Sequence, residues 1–187
     1  PILSLFPGSR KQELNRHLPL FINVAEKLRY NNSQLQFILG LAQELSLDNF
    51  SLPDWIRVEK ECPQKALECA DVALVASGTV TLEGAVFGTP MIIVYKMNTL
   101  SWWISKLLVK ADYAGMVNII AGKKIIPEFL QNKATTQSIT REVNKIINSP
   151  ERRKKMATEL LCIQQKLQIE TATNSAAEHI LFLNQSK

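Results

Sequence analysis

Short runs of apolar residues alternate along this chain with segments in which apolar residues recur every three or four positions. The short runs predict β-strands, because they lack the regular polar positions of a half-exposed strand. They are Ile2–Phe6, Leu35–Leu39, Trp55–Val58, Asp71–Ala76 and Met91–Tyr95. The segments between them predict helices, with apolar stripes or helical turns over Leu14–Leu28, Ala42–Leu47, Gln64–Ala70 and Val80–Phe87. Strand and helix alternate with short connections, which predicts a parallel sheet covered by helices on both faces.

The pattern becomes more helical after the fifth predicted strand. Thr99–Lys110 predicts an amphipathic helix that carries Trp102 and Trp103, and either core packing or contact with a partner or membrane surface would explain it. Ala111–Lys124 contains two glycines and an asparagine, and it predicts a loop. Further helices are predicted over Pro127–Gln131, Thr135–Asn148, Pro150–Gln168 and Thr171–Asn184.

Two turns from strand to helix contain residues suited to binding an anion. The first is Pro7-Gly8-Ser9-Arg10, where Gly8 permits a tight turn and Ser9 can cap the next helix, with Glu13 as a capping carboxylate. Arg10 would place a bidentate cation beside that helix N-terminus, which suits a phosphate. An ordinary capped turn with a surface arginine would explain the same residues.

The second turn joins the fourth predicted strand to the helix Val80–Phe87. Ser77, Gly78 and Thr79 leave backbone amides open at this helix N-terminus, and Glu83 lies one turn further on. A carboxylate there could accept hydrogen bonds from sugar hydroxyls. Both turns follow the carboxyl ends of predicted parallel strands, where α/β proteins bind ligands, so we expect both to face one crevice.

Composition narrows the functional classes only moderately. The 187 residues suffice for one well-buried domain, and the formal net charge of +5 fits either an anionic ligand or an ordinary basic surface. Three cysteines without a CxxC spacing argue against a disulfide framework or a zinc site and favour a reducing compartment. No apolar run is long enough to cross a bilayer. Because the first residues already resemble a strand and no signal sequence precedes them, we expect an amino-terminal portion to be missing.

Three segments together resemble one known family. LFPGSRKQEL, ALVASGTVTLEGAVFGTPMIIVYK and LVKADYAGMVNIIAGKKIIPEFLQ, in this order, are similar to the carboxyl half of the lipid-A-disaccharide synthase family. The resemblance runs from Ile2 to about Leu130. It implies a GT-B fold, of which residues 1–187 would be the Rossmann-like, UDP-sugar-binding domain with carboxyl-terminal helices from about 135 to 187. The acceptor domain would lie in the missing amino-terminal part.

The resemblance also implies an activity. The family transfers diacylglucosamine from UDP-2,3-diacylglucosamine to 2,3-diacylglucosamine 1-phosphate, forming the β-1,6-linked lipid A disaccharide and releasing UDP. It acts in the cytoplasm, peripherally at the inner membrane of Gram-negative bacteria. The resemblance implies no metal and no other cofactor. In agreement with this, the chain contains no Asp-x-Asp pair. On this basis the chain alone would bind UDP weakly and transfer nothing.

Site residues carry over by position. Arg10 matches the arginine of the PGSR motif and would offset charge on the leaving UDP, with Ser9 beside it. Ser77, Gly78 and Thr79 match the loop facing the diphosphate, and Glu83 matches the carboxylate directed at the ribose. Asn118 matches a further asparagine of the family, which we expect to be catalytic with Arg10, although Val117 replaces the usual preceding proline. The general base would be a carboxylate in the missing half.

Two other interpretations stay open from the sequence alone. Another GT-B enzyme acting on UDP-N-acetylglucosamine, either a muramyl-pathway transferase or a 2-epimerase, would share the helix that carries Glu83. A donor screen with acylated and unacylated UDP-glucosamine separates these from the first interpretation. A non-catalytic nucleotide-binding domain is the third interpretation.

Overall fold

The computed structural model describes residues 1–76, 78–96 and 113–169, which contain one six-stranded sheet. The strands are β1 (Ile2–Phe6), β2 (Gln36–Gly40), β3 (Ile56–Glu59), β4 (Val72–Val75), β5 (Met91–Tyr95) and β6 (Glu128–Leu130). Their spatial order is β3-β2-β1-β4-β5-β6, and every neighbouring pair is parallel. The predicted parallel sheet is therefore confirmed. All amino ends of its strands share one edge and all carboxyl ends the other.

Helices cover both faces of this sheet. They are α1 (Lys11–Asn31), α2 (Pro63–Glu68), α3 (Val80–Phe87), α4 (Met116–Ala121), α5 (Thr136–Ile147) and α6 (Pro150–Ile169), with a short 3₁₀ turn at Gln131–Lys133. α1 packs against α5, while α3 packs against α2, α4 and α6. The predicted helices over Val80–Phe87, Thr135–Asn148 and Pro150–Gln168 are confirmed within one residue at each end.

The central strands are apolar because helices bury them from both sides. All four residues of β4 are buried, as are the first four of β5. The apolar stripe of α1, which includes Leu14, Phe21 and Leu28, faces the same core. Buried hydroxyls fix α2 against the sheet, since Ser4 Oγ donates to the carbonyl of Ala66 at 2.6 Å.

The strand order reverses direction between β1 and β4. From β1 the chain continues through α1 to β2 on one side, and from β4 it continues through α3 to β5 on the other. The two strands are paired in register, with Phe6 opposite Val75. The loops that leave their carboxyl ends therefore diverge and open a crevice between them, as in other doubly wound sheets.

The predicted helix over Ala42–Leu47 is wrong. The chain there forms a turn, in which the amide of Leu45 donates to the carbonyl of Ala42 at 3.0 Å, and no helix connects β2 to β3. Lys60 Nζ donates to the carbonyl of Leu45 at 2.8 Å, and Leu41 and Leu45 are buried. Tertiary burial of two leucines produced the helical spacing of this segment.

Two predictions beyond β5 are also wrong, and two lie outside the described residues. The described part of the predicted loop Ala111–Lys124 contains helix α4, and the predicted helix Pro127–Gln131 is instead the edge strand β6. The carbonyl of Pro127 accepts from the amide of Ile93 at 2.9 Å, so pairing with β5 overrides the tendency of proline to begin a helix. The segments Thr99–Lys110 and Thr171–Asn184 are not among the described residues.

Candidate functional site

A cleft of about 560 Å³ lies at the carboxyl edge of the sheet, over the reversal between β1 and β4. Its lining includes Ser9 and Arg10 from the loop after β1, together with Gly78, Thr79 and Glu83 from the corner after β4. Its volume falls within the usual range for small-ligand sites. The geometry therefore brings five of the seven predicted site residues together.

The loop after β1 is held by a carboxylate from α1. Glu13 Oε2 accepts the amide of Ser9 at 3.0 Å and that of Arg10 at 3.4 Å. The helix begins at Lys11 with Arg10 as its N-cap, so the prediction of Ser9 as the capping residue is wrong by one position. Gly8 has φ +118°, and a Cβ on it would meet the Glu13 carboxylate. Glycine at this position thus allows Glu13 to close over the loop.

The corner after β4 presents the start of α3 to the cleft. Gly78 has φ +149°, a conformation that favours glycine, and α3 begins two residues later at Val80. The amides of Thr81 and Leu82 already donate to the carbonyls of Gly78 and Thr79 at 3.2 and 2.9 Å, so it is the positive end of the α3 dipole that suits an anion here. Glu83 lies one turn into α3, half-buried and on the cleft wall. Ser77 is outside the described residues.

The wall on the β2 and β3 side was not predicted. Gln43 and Glu44 follow β2, and Glu61 and Gln64 follow β3; all four line the cleft. Gln43 Nε2 donates to the carbonyl of Glu61 at 3.1 Å, which ties the two segments together. The available signal was their position just after predicted strands, since such loops meet at one edge of a parallel sheet.

His17 is a further residue near the cleft that the sequence did not predict. It is fully buried on α1, with Nδ1 2.9 Å from the carbonyl oxygen of Pro7 and Nε2 accepting the amide of Lys96 at 3.0 Å. Its ring stacks on Tyr95, which lines the cleft, with 5.9 Å between centroids. Its hydrogen-bond partners lie on other segments of the chain, and spacing along the sequence does not reveal them.

Asn118 lies outside the cleft lining. It is fully buried on α4, and its amide nitrogen donates to the carbonyl of Ile126 at 2.9 Å and to Glu128 Oε1 at 2.7 Å. Its amide oxygen accepts the backbone amides of Ile125 and Ile126 at 2.8 and 3.0 Å. Four partners use the full hydrogen-bonding capacity of an asparagine side chain. The geometry therefore gives Asn118 a structural task and does not bring it together with Arg10.

Carboxylates outnumber cations among the described residues of the cleft wall. Arg10 is the one cation there, beside Glu13, Glu44, Glu61 and Glu83. An anionic group can bind favourably only where Arg10 and the start of α3 dominate the local field, away from the Glu44 side. Carboxylates elsewhere in the cleft suit hydroxyl and amide donors of a polar ligand.

The part of the chain that the structure describes holds no cluster of three or more His, Cys, Asp or Glu side chains placed to bind a metal ion. None of the helices in these same ranges is both long enough and apolar enough to cross a membrane.

Comparison with known sequences identifies one family. The family model for lipid-A-disaccharide synthetase matches residues 1–181. The chain is 38% identical over 187 residues to a lipid-A-disaccharide synthase of Syntrophus aciditrophicus, covering 97% of this chain and 49% of that protein. It is 37% identical over 172 residues to one from Nitrosococcus oceani, covering 88% and 44%. The chain thus spans about half the length of the curated relatives it matches.

Solved structures share the fold at low sequence identity. A kitacinnamycin glycotransferase matches with a TM-score of 0.64 and 20% identity, over 96% of this chain and 42% of that one. The rhamnosyltransferase SpnG with thymidine diphosphate matches with a TM-score of 0.61 and 12% identity, over 90% and 41%. The predicted Rossmann-like half of a GT-B fold is confirmed by these likenesses.

Proposed function

Because the chain belongs to the lipid-A-disaccharide synthetase family, we propose that it is the donor-binding domain of an enzyme that joins two acylated glucosamines. The donor is UDP-2,3-diacylglucosamine and the acceptor is 2,3-diacylglucosamine 1-phosphate. The acceptor hydroxyl forms a bond to the anomeric carbon, the bond from that carbon to UDP breaks, and the hydroxyl proton passes to a general base. The acceptor site and the base belong to the part of the full-length enzyme outside this chain.

The observation that carries this proposal is the cleft where the loops after β1 and β4 meet. Its lining combines a cation, the positive end of a helix and a carboxylate, which suit the phosphates and the ribose hydroxyls of a nucleoside diphosphate. Arg10 pairs with the diphosphate and offsets the charge that develops on UDP as it leaves. The amides at Gly78 and Thr79 bind the same group, with the hydroxyl of Ser9 beside them, and Ser77 stays a predicted ligand contact outside the described residues.

Glu83 accepts hydrogen bonds from the ribose hydroxyls. Support for this role comes from its position one turn behind the amides that face the diphosphate, since the ribose is the next group of the nucleotide. A carboxylate would be a poor neighbour for the phosphates themselves, because like charges repel.

A catalytic role for Asn118 stays a prediction, because such a role requires the side chain to touch the reacting atoms. The hydrogen bonds of Asn118 instead support a role in positioning the start of α4. Asn118 holds Glu128, and Glu128 in turn accepts the amides of Ala114 and Gly115 at 2.9 Å each. Through these bonds the start of α4 is fixed against β6.

Titration calorimetry of UDP against Glu83→Ala tests the ribose role. A hydrogen bond to a charged group contributes about 1.5–3 kcal/mol, so the affinity should fall about 10- to 150-fold. The matched control is Glu44→Ala, which removes the same charge from the opposite wall. If Glu83 acted only through its charge, both variants would bind the anion more tightly than the wild type. A loss confined to Glu83→Ala supports the proposal, and equal or tighter binding by that variant refutes it.

We further propose that the enzyme works at the cytoplasmic face of the inner membrane as a peripheral protein. Its acylated substrates support this, as does a segment, Thr99–Lys110, that combines two tryptophans with lysines. Co-sedimentation of the full-length protein with anionic vesicles should weaken when Trp102 and Trp103 are both changed to serine. Undiminished binding would remove this segment from the membrane contact.

A further inference from the structure

His17 joins two segments beside the cleft through its two ring nitrogens. One nitrogen contacts the carbonyl of Pro7, at the start of the loop that carries Arg10, and the other accepts the amide of Lys96, just after β5. Pro7 and Lys96 are 89 positions apart along the chain, yet one side chain fixes both. A change at His17 therefore reaches both segments at once.

The two partners determine where the ring carries its proton. A carbonyl oxygen only accepts, so Nδ1 must hold a hydrogen, and a backbone amide only donates, so Nε2 must offer a lone pair. The ring is therefore neutral with its hydrogen on Nδ1. A second proton, on Nε2, would place two N–H groups against each other and break the bond to Lys96.

The surroundings of His17 favour this neutral state. Burial lowers the pKa of the His17 imidazole, with the Arg16 guanidinium acting in the same direction, while the hydrogen bond to Pro7 and the Glu13 carboxylate oppose it. From β5, Tyr95 stacks on the ring and Lys96 presents its backbone. Arg16 Nη1 also donates to the carbonyl of Lys96 at 3.2 Å, so α1 binds both polar groups of that peptide segment.

We propose that neutral His17 is a positioning residue of the cleft, which fixes the loop that carries Arg10 relative to the end of β5. A second proton on the ring releases Lys96 and lets the loop that carries Arg10 move away from the end of β5, so that the cleft loses its ligand-binding geometry. The ligand in this inference rests on the proposed function, whereas the linkage between the two segments does not.

Nuclear magnetic resonance of the chain tests the linkage without any ligand. Long-range ¹H–¹⁵N spectra at pH 7.5 should show the Nδ1–H tautomer, and the imidazole should titrate with a midpoint below 6.5, the ordinary value for histidine. The amide resonances of Arg10 and Lys96 should shift with the same midpoint. The control is His17→Gln, whose side-chain oxygen can reach Lys96 and does not titrate, and its two amides should show no such step. An Nε2–H tautomer, a midpoint at or above 6.5, or an unchanged step in the control overturns the proposal.

A binding experiment then measures the consequence for the cleft. UDP-N-acetylglucosamine is the probe, because its diphosphate is esterified at both ends and keeps its charge over this range. One pH unit below the His17 midpoint about a tenth of the rings stay neutral, so apparent affinity should be about tenfold weaker than above it. In His17→Gln the affinity should stay constant over that interval, and the same fall in both proteins would overturn the proposal. No binding by the wild type at pH 7.5 would instead count against the proposed function, and the linkage would be judged by the spectra.

Discussion

Replacing Asn118 with alanine removes four hydrogen bonds from the interior, and the structure indicates which of the four partner groups are left without another hydrogen bond. The amide of Ile125 keeps a second acceptor, the carbonyl of Lys123 at 3.1 Å, and Glu128 keeps two backbone amides. Ile126 is fully buried and loses its side-chain partner at both its amide and its carbonyl. Each buried group left without a partner costs about 1–3 kcal/mol, and a water molecule entering the space would restore part of this. We therefore expect the free energy of unfolding to fall by about 3 kcal/mol.

Urea unfolding followed by circular dichroism measures this loss. The midpoint should fall while the slope of free energy against urea stays the same, because the folded and unfolded states keep their exposed areas. Asn15→Ala is the matched control. Asn15 is exposed on α1, and its replacement should change the free energy of unfolding by no more than about 0.5 kcal/mol.

The same variant separates a structural from a catalytic Asn118. If the side chain acts mainly by fixing the start of α4, stability falls as calculated. A free energy of unfolding within about 1 kcal/mol of the wild type would contradict this reasoning. Lost turnover in the full-length enzyme at unchanged stability would then favour contact with the reacting atoms.

Three further substitutions test the loop after β1 and the helix caps. Arg10→Ala in the full-length enzyme should lower turnover about a hundredfold at saturating donor, whereas Lys11→Ala beside it should not, and equal rates for both would remove Arg10 from the mechanism. Gly8→Ala should weaken UDP binding measured by calorimetry, because the new Cβ collides with Glu13 and alanine rarely adopts this backbone angle. An affinity equal to that of the wild type would show that the loop accommodates the Cβ without losing its binding geometry. Thr135→Ala should lower the thermal unfolding stability by about 1 kcal/mol, since Thr135 Oγ1 caps α5 by accepting the amide of Ser138 at 3.2 Å, and an unchanged melting temperature would count against that cap.

The sequence predicted the centre of the fold well because local pattern and tertiary environment agree there. The residues of β4, α3 and β5 are apolar as strands buried on both faces must be, and a glycine turn ends α3 at Gly88 in the left-handed conformation. The same agreement extends to the two loops of the cleft, since parallel strands bring their carboxyl ends to one edge.

The failures occur where a long-range contact decides the local structure. β6 has only three residues and exists because Ile93 and its neighbours offer an unpaired edge, which no pattern within Glu128–Leu130 reveals. α4 has six residues between two glycines, and its start is fixed by Glu128 from a different element. The bonds of Asn118 and His17 likewise depend on partners that sequence spacing does not show.

The direction of β1 has a practical consequence for the binding experiments. At about 3.3 Å per residue, this five-residue strand separates its first residue from the cleft by about 16 Å. The carbonyl of Pro1 pairs with the amide of Gln36 at the opposite edge of the sheet. Any segment joined to Pro1 therefore leaves the sheet at the edge opposite the cleft, so an affinity handle placed there on this domain would leave the cleft turned away from a sensor surface.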